Sequence, residues 1–312
     1  MSKETRCDEL KFDENGVKLI QKKIDIFHAV SAISWNIVGH KLIIGSWDRT
    51  IKLFDLLTND EIVLKGHTKL ITSLDWSPVE DVIVSSSQDE TIKVWSGVNY
   101  TLIKDIEKPH KRAVSFVNWS PDGEHFATAS WDSTIKIWSG KSLSPIKTLK
   151  GHDNALLAAV WSTDGRFIAS GGWDTNLVIW NVSRGAKISE IKKAHKDAIT
   201  SVTWHPSGKY IATGSLDKTV KVWDVNESKL VKSFDDYKDA VKAVSWSHDG
   251  KYLAAGSWDT SVKIYETDTW ELVKEIKTGS WNNIIRWCPI TYVIAVAGED
   301  GQVALYDLRD LE

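Results

Sequence analysis

Apolar and polar positions alternate along most of this chain in short runs, the period of a strand with one face buried. No stretch keeps a helical period long enough to build a helix. The run Tyr210-Ile211-Ala212-Thr213-Gly214-Ser215 enters a polar turn, and Thr219-Val220-Lys221-Val222-Trp223-Asp224 leaves it. Ahead of this pair lies a run ending on Trp204, and its counterparts end on Trp35, Trp76, Trp119, Trp161, Trp246 and Trp287. The turn after that Trp has its own chemistry, as in Ser120-Pro121-Asp122-Gly123 and Ser247-His248-Asp249-Gly250. Pro presets φ, Asp or Ser bonds the local backbone, and Gly accepts a left-handed conformation. The unit is three strands joined by hairpins, with a fourth strand such as Lys229-Leu230-Val231-Lys232 outermost.

The unit repeats. Gly45-Ser46-Trp47-Asp48, Ala129-Ser130-Trp131-Asp132, Gly171-Gly172-Trp173-Asp174 and Gly256-Ser257-Trp258-Asp259 are near copies. With Asp89, Asp217 and Asp300 they give seven aspartates spaced by 41, 43, 42, 43, 42 and 41 residues. That is the repeat length of a propeller blade. The expectation is an all-β chain, a seven-bladed β-propeller of four-stranded antiparallel blades. By phase, the strand near Val17 to Ile24 has no blade of its own, and the last repeat lacks an outer strand. Pairing of this N-terminal strand with Val303-Ala304-Leu305-Tyr306 would close the ring and cover an open edge. Residues 1–16 read as a flexible N-terminal tail and residues 17–312 as a single propeller domain.

Composition changes this picture in one respect: 17 Trp is several times the ordinary usage, so these residues must occupy regular positions. The net charge of −3 offers no basic field for nucleic acid or an anionic membrane. Apolar runs such as Ile290 to Ala297 are strand-sized, so no membrane insertion is expected. Met1 to Asp25 lacks the apolar centre of a signal peptide. Cys7 and Cys288 supply neither a disulfide framework nor a thiolate metal site. A reducing compartment, cytoplasm or nucleus, is the expectation.

Gly66-His67, Pro109-His110, Gly151-His152 and Ala194-His195 each stand 22 residues before a turn Asp, measured from the His. Trp95, Trp138, Trp180, Trp223, Phe54, Tyr265 and Tyr306 each stand six after one. On these residues the chain from about Lys18 to Leu311 resembles the WD-repeat β-propellers. The resemblance implies a buried hydrogen-bond chain of His, second-strand hydroxyl, turn Asp and third-strand Trp. Four repeats hold every member: His67, Ser85, Asp89, Trp95; His110, Thr128, Asp132, Trp138; His152, Ser170, Asp174, Trp180; and His195, Thr213, Asp217, Trp223. A desolvated Asp needs such donors, and the linked groups polarise one another. His, Ser and Asp are also the residues of a hydrolase triad, but a fourfold recurrence around a ring fits a structural role. In repeats one, six and seven Ile44, Ala255 and Val296 replace the hydroxyl, and Tyr237 and the 278–280 stretch replace the last two His. Those blades are expected to hold by packing. Ser170-Gly171-Gly172 precedes no helix, so it is no phosphate loop. His40, His125, His205 and His248 fall one per blade, so no metal site follows. No catalytic residue and no cofactor is expected.

The resemblance further implies that the residue before each turn Asp faces the top opening: Trp47, Gln88, Trp131, Trp173, Leu216, Trp258 and Glu299. Positions six and four before each first-strand Trp join them, among them Leu157, Lys242, Trp281 and Asn283, the rest being mostly Ala, Ser and Thr. Five Trp among small neighbours suit a peptide-binding surface. The rival reading packs these Trp into the seams between blades. The expected function is a non-catalytic scaffold or adaptor binding peptide segments of partner proteins, basic or apolar residues suiting the indoles and Glu299. Two alternatives stand beside it. Asp300, Tyr306, Asp307 and Arg309 resemble the docking box of WD-repeat substrate receptors of cullin-RING ubiquitin ligases. Trp47, Trp131 and Trp258 beside Lys111, Arg112, Lys238 and Lys242 could stack single-stranded nucleic acid, against which the acidic balance argues.

Overall fold

The computed structural model describes residues 20–22 and 28–311. They form seven antiparallel sheets of four strands each. Six blades use four consecutive strands, as Val114–Trp119, His125–Ser130, Thr134–Ser139 and Pro145–Lys150 do in blade three. The seventh is a composite of Asn282–Trp287, Val293–Gly298 and Val303–Asp307, with Ile20–Lys22 in the outer place. Ile20 lies opposite Leu305, Gln21 opposite Ala304 and Lys22 opposite Val303. The expected N-terminal strand is therefore present at its centre. Its flanks and the expected tail over residues 1–16, with Cys7, lie outside the described residues. Among the described residues the sole helix is the single turn Arg309–Leu311.

The alternating pattern works out as two buried faces per blade, because each sheet is flanked on both sides by a neighbour. Seven apolar clusters fill the seven seams. Ala32, Ile43 and Leu53 of blade one meet Ile71, Leu74 and Trp76 of blade two. Val30, Leu42 and Phe54 meet Val293, Ala295 and Val303 of blade seven, which closes the ring. Each Val, Leu, Ile or Phe among them contributes about 1.5–3 kcal/mol by leaving water. The Trp ending each first strand is buried at 4–7% exposure and packs in a seam. Four of these indoles also donate to the backbone of the preceding blade: Trp35 to Arg286, Trp161 to Asn118, Trp204 to Val160 and Trp287 to Ser245, at 3.0–3.3 Å.

One irregularity recurs in every blade. The register of the first and second strands shifts between Val30/Ala32, Ile71/Ser73, Val114/Phe116, Leu156/Ala158, Ile199/Ser201, Val241/Ala243 and Asn282/Ile284. Each is a β-bulge that leaves one residue without a ladder partner and re-aims its side chain. The residues so released are Ser31, Thr72, Ser115, Leu157, Thr200, Lys242 and Asn283, and all seven line the central cavity.

Candidate functional site

All four complete polar chains form. His67 Nδ1 lies 2.9 Å from Asp89 and its Nε2 2.8 Å from Ser85, whose hydroxyl accepts the Trp95 indole at 2.9 Å. The corresponding distances are 3.1, 2.8 and 2.9 Å for His110, Thr128, Asp132 and Trp138. They are 2.6, 2.7 and 2.7 Å for His152, Ser170, Asp174 and Trp180. They are 3.0, 2.7 and 2.9 Å for His195, Thr213, Asp217 and Trp223. An ionised Asp only accepts, so Nδ1 carries the proton, Nε2 accepts the hydroxyl, and the indole donates to that hydroxyl. Burial works to raise the Asp132 carboxyl. The bonds from His110, Thr134 and the Lys111 amide outweigh it and hold the group well below the usual carboxylate range. Burial lowers His195, which favours the neutral imidazole this chain of bonds requires.

Blade six departs from packing alone. Tyr237 takes the histidine's place and is buried; Tyr265 donates to its hydroxyl at 3.0 Å and stacks on Phe234. In blade seven Thr278 donates to Asn282 at 2.9 Å, and Asp300 is exposed, accepting from the Gln302 amide. A cavity of about 340 Å³ bounded by Thr278, Val296, Asp300 and Tyr306 occupies the place of the missing chain.

The residues before each turn Asp, which the resemblance assigns to the top opening, share one backbone bond. Each donates its amide to the residue six before a first-strand Trp, as Trp47 does to Ala29, Trp131 to Ala113, Trp173 to Ala155 and Glu299 to Trp281. A cavity of about 620 Å³ lies within, lined by Trp47, Trp131, Trp258, Trp281, Leu157, Lys242 and Glu299. Gln88, Leu216 and Trp173 occupy equivalent backbone places yet do not line it; Trp173 is 49% exposed. The alanines at 29, 113, 198 and 240 are buried beneath the rim, so they do not widen the surface around the indoles as expected.

The four Trp that line the cavity divide into two kinds. Trp258 stacks on Trp281 at 5.2 Å, donates to Asn283 at 3.0 Å, and carries Lys242 Nζ over its ring at 4.9 Å. Asn283 in turn donates to Glu299 at 3.3 Å. Trp258 is thus tied across the seam of blades six and seven, as the packing alternative has it. Trp47 and Trp131, 46% and 38% exposed, make no side-chain hydrogen bond and no ring stacking among the described residues.

Below the rim the small polar residues have work that their spacing did not reveal. Ser31, Thr72, Ser115 and Thr200 donate to the backbone carbonyls of Ile71, Val114, Leu156 and Val241 at 2.6–2.7 Å, each in the next blade. Asn283 reaches Val30 at 3.2 Å. Five seams are stapled in this way. Leu157 and Lys242 stand at the two positions with no such bond. One level deeper, immediately before each first-strand Trp, stand Ser34, Asp75, Asn118, Val160, Thr203, Ser245 and Arg286. Asp75 accepts from Ser34, Asn118 and the Trp119 amide at 2.8–2.9 Å. Arg286 lines both the upper cavity and a lower one of about 210 Å³, at the waist between them.

Arg309 folds back on Asp307, Nη2 to carboxylate 2.7 Å, so the guanidinium of the docking-box resemblance is engaged within the chain. Among the described residues no group of His, Cys, Asp and Glu could hold a metal ion, and no helix is long and apolar enough to cross a membrane.

Seven four-stranded blades around a lined channel define a β-propeller built from repeats. The chain belongs to the WD-repeat β-propellers: residues 83–312 match the family described as the IFT122 first beta-propeller, and residues 22–55 and 59–96 each match the WD domain, G-beta repeat. Similarity to curated proteins is local. Mouse pre-mRNA-processing factor 19 is 35% identical over 66 residues, 21% of this chain and 13% of that protein. Mouse WD repeat-containing protein 37 is 34% identical over 67 residues, 21% of this chain and 14% of that protein. The aligned segments thus span about a seventh of those relatives or less. The family fold is typical of protein-interaction scaffolds and is generally non-catalytic.

Proposed function

We propose that this protein is an interaction platform, an adaptor of a cytoplasmic or nuclear multiprotein complex that takes a peptide segment of a partner across the top of the ring. One observation carries the reading: Trp47 and Trp131 stand exposed with unengaged indoles on the rim of a cavity of about 620 Å³. Large rigid aromatics beside a concave opening are the usual anchors of peptide affinity. Apolar partner residues suit these two rings; the face of Trp258 already has its cation in Lys242.

The test is selection from a random peptide library displayed on phage, followed by affinity measurement with Trp47→Ala/Trp131→Ala. Selected peptides should carry an apolar anchor, and the double variant should bind at least about 30-fold more weakly with an unchanged melting temperature. Equal binding by the double variant would remove the rim from the reading.

A further inference from the structure

The charges of the cavity are unequally satisfied. Among its lining residues only Lys242, Arg286 and Glu299 are charged. Glu299 accepts from Asn283 and faces Lys242, whose ammonium lies over Trp258. Asp75, in the lower cavity, is bonded from both neighbouring blades and by a backbone amide. Arg286 differs. Among the described residues its guanidinium makes one hydrogen bond, from Nη1 to the carbonyl of Ile285 at 3.1 Å, and no ion pair. Burial disfavours its charge and Asp75 across the waist partly offsets that, but a guanidinium stays ionised in proteins. Most of its five donors therefore have no protein partner among the described residues, and the side chain lines the channel.

We propose that the waist of the channel receives a carboxylate carried by the docked peptide, an Asp or Glu side chain that passes the indole rim and pairs with Arg286. This rests on the top face being the peptide site, and it adds a second determinant: an apolar anchor at Trp47 and Trp131 with an acidic residue beside it. The planar fork of guanidinium suits a carboxylate in a bidentate pair. The path is lined by Ser31, Thr72, Ser115 and Thr200, whose hydroxyls are committed to seams, so they do not compete for the anion.

Phage-displayed peptides selected on the wild-type protein should show Asp or Glu enriched at one fixed spacing from the apolar anchor. Replacing that residue by its amide should weaken binding to the wild-type protein at least about 30-fold, a comparison that leaves the protein untouched. Arg286→Gln should lose the acidic preference while still binding through the apolar anchor; Arg286→Lys should keep it at reduced affinity. Apolar-anchored peptides without acidic enrichment would overturn this proposal and leave the docking surface standing. Survival of the preference in Arg286→Gln would also overturn it and assign the anion to Lys242. Loss of binding in Trp47→Ala/Trp131→Ala tests the docking surface by itself.

Discussion

Replacing Asp132 by Ala removes the acceptor at the centre of the blade-three polar chain. Its carboxylate receives His110 Nδ1 at 3.1 Å, the Lys111 amide at 2.9 Å, and the Thr134 amide and hydroxyl at 3.0 and 2.6 Å. The His110 side chain is wholly buried, and without the carboxylate its Nδ1 would keep only Thr134 Oγ1 at 3.2 Å as a protein partner. A buried donor left in that state costs about 1–3 kcal/mol. The two amides lie nearer solvent and add roughly 0.5 kcal/mol each. The expected loss is about 2–4 kcal/mol. Asp300→Ala in blade seven removes an exposed carboxylate that accepts from the Gln302 amide, and should cost less than about 1 kcal/mol. Guanidinium unfolding at pH 7, followed by both tryptophan fluorescence and circular dichroism, compares the two against the parent. Equal losses at Asp132 and Asp300 would refute the claim that the histidine chain carries blade stability.

Acid should destabilise the fold in two stages. Folded His195 is held below its ordinary value by burial, so the unfolded chain binds the extra proton, and stability falls as pH drops through about 6.5. Asp132 and Asp217 are depressed despite burial, by their His, Thr and amide donors; their stabilisation is complete above about pH 4 and is lost as pH falls toward their folded values. Melting temperatures at stepped pH check both; a maximum below pH 5 would contradict them. Deleting residues 1–27 should bare the Val303–Asp307 edge, seen as light scattering or loss of a single cooperative transition, whereas an unchanged melt would contradict closure by Ile20–Lys22. Thr200→Val removes the donor to Val241 while keeping the shape, and denaturant melts should register about 1 kcal/mol.

The repeat and the strand order were legible in the sequence, because each depends on residues at fixed spacing within one blade, and the closing strand followed from the phase of the repeat at the two ends of the chain. The four polar chains, such as His110, Thr128, Asp132 and Trp138, came with the family resemblance, and each lies within one blade, so their fixed spacing was enough to find every member. The same reasoning placed all five top-face Trp in one class, and there it reached its limit. Trp258 is engaged because ring geometry brings Trp281 and Asn283 of the next blade against it, while Trp47 and Trp131 meet no such neighbours. The small residues of the mouth looked like open space, yet Ser31, Thr72, Ser115 and Thr200 hold seams, because a bulge in each first strand turns them toward the adjoining carbonyl. Arg286 carried no signal, being one basic residue at a strand position that varies from blade to blade. Its character is decided by what lies across the channel. Asp75 draws its donors from blades one and three and leaves the guanidinium unmatched, an outcome of closing the ring that no single repeat contains.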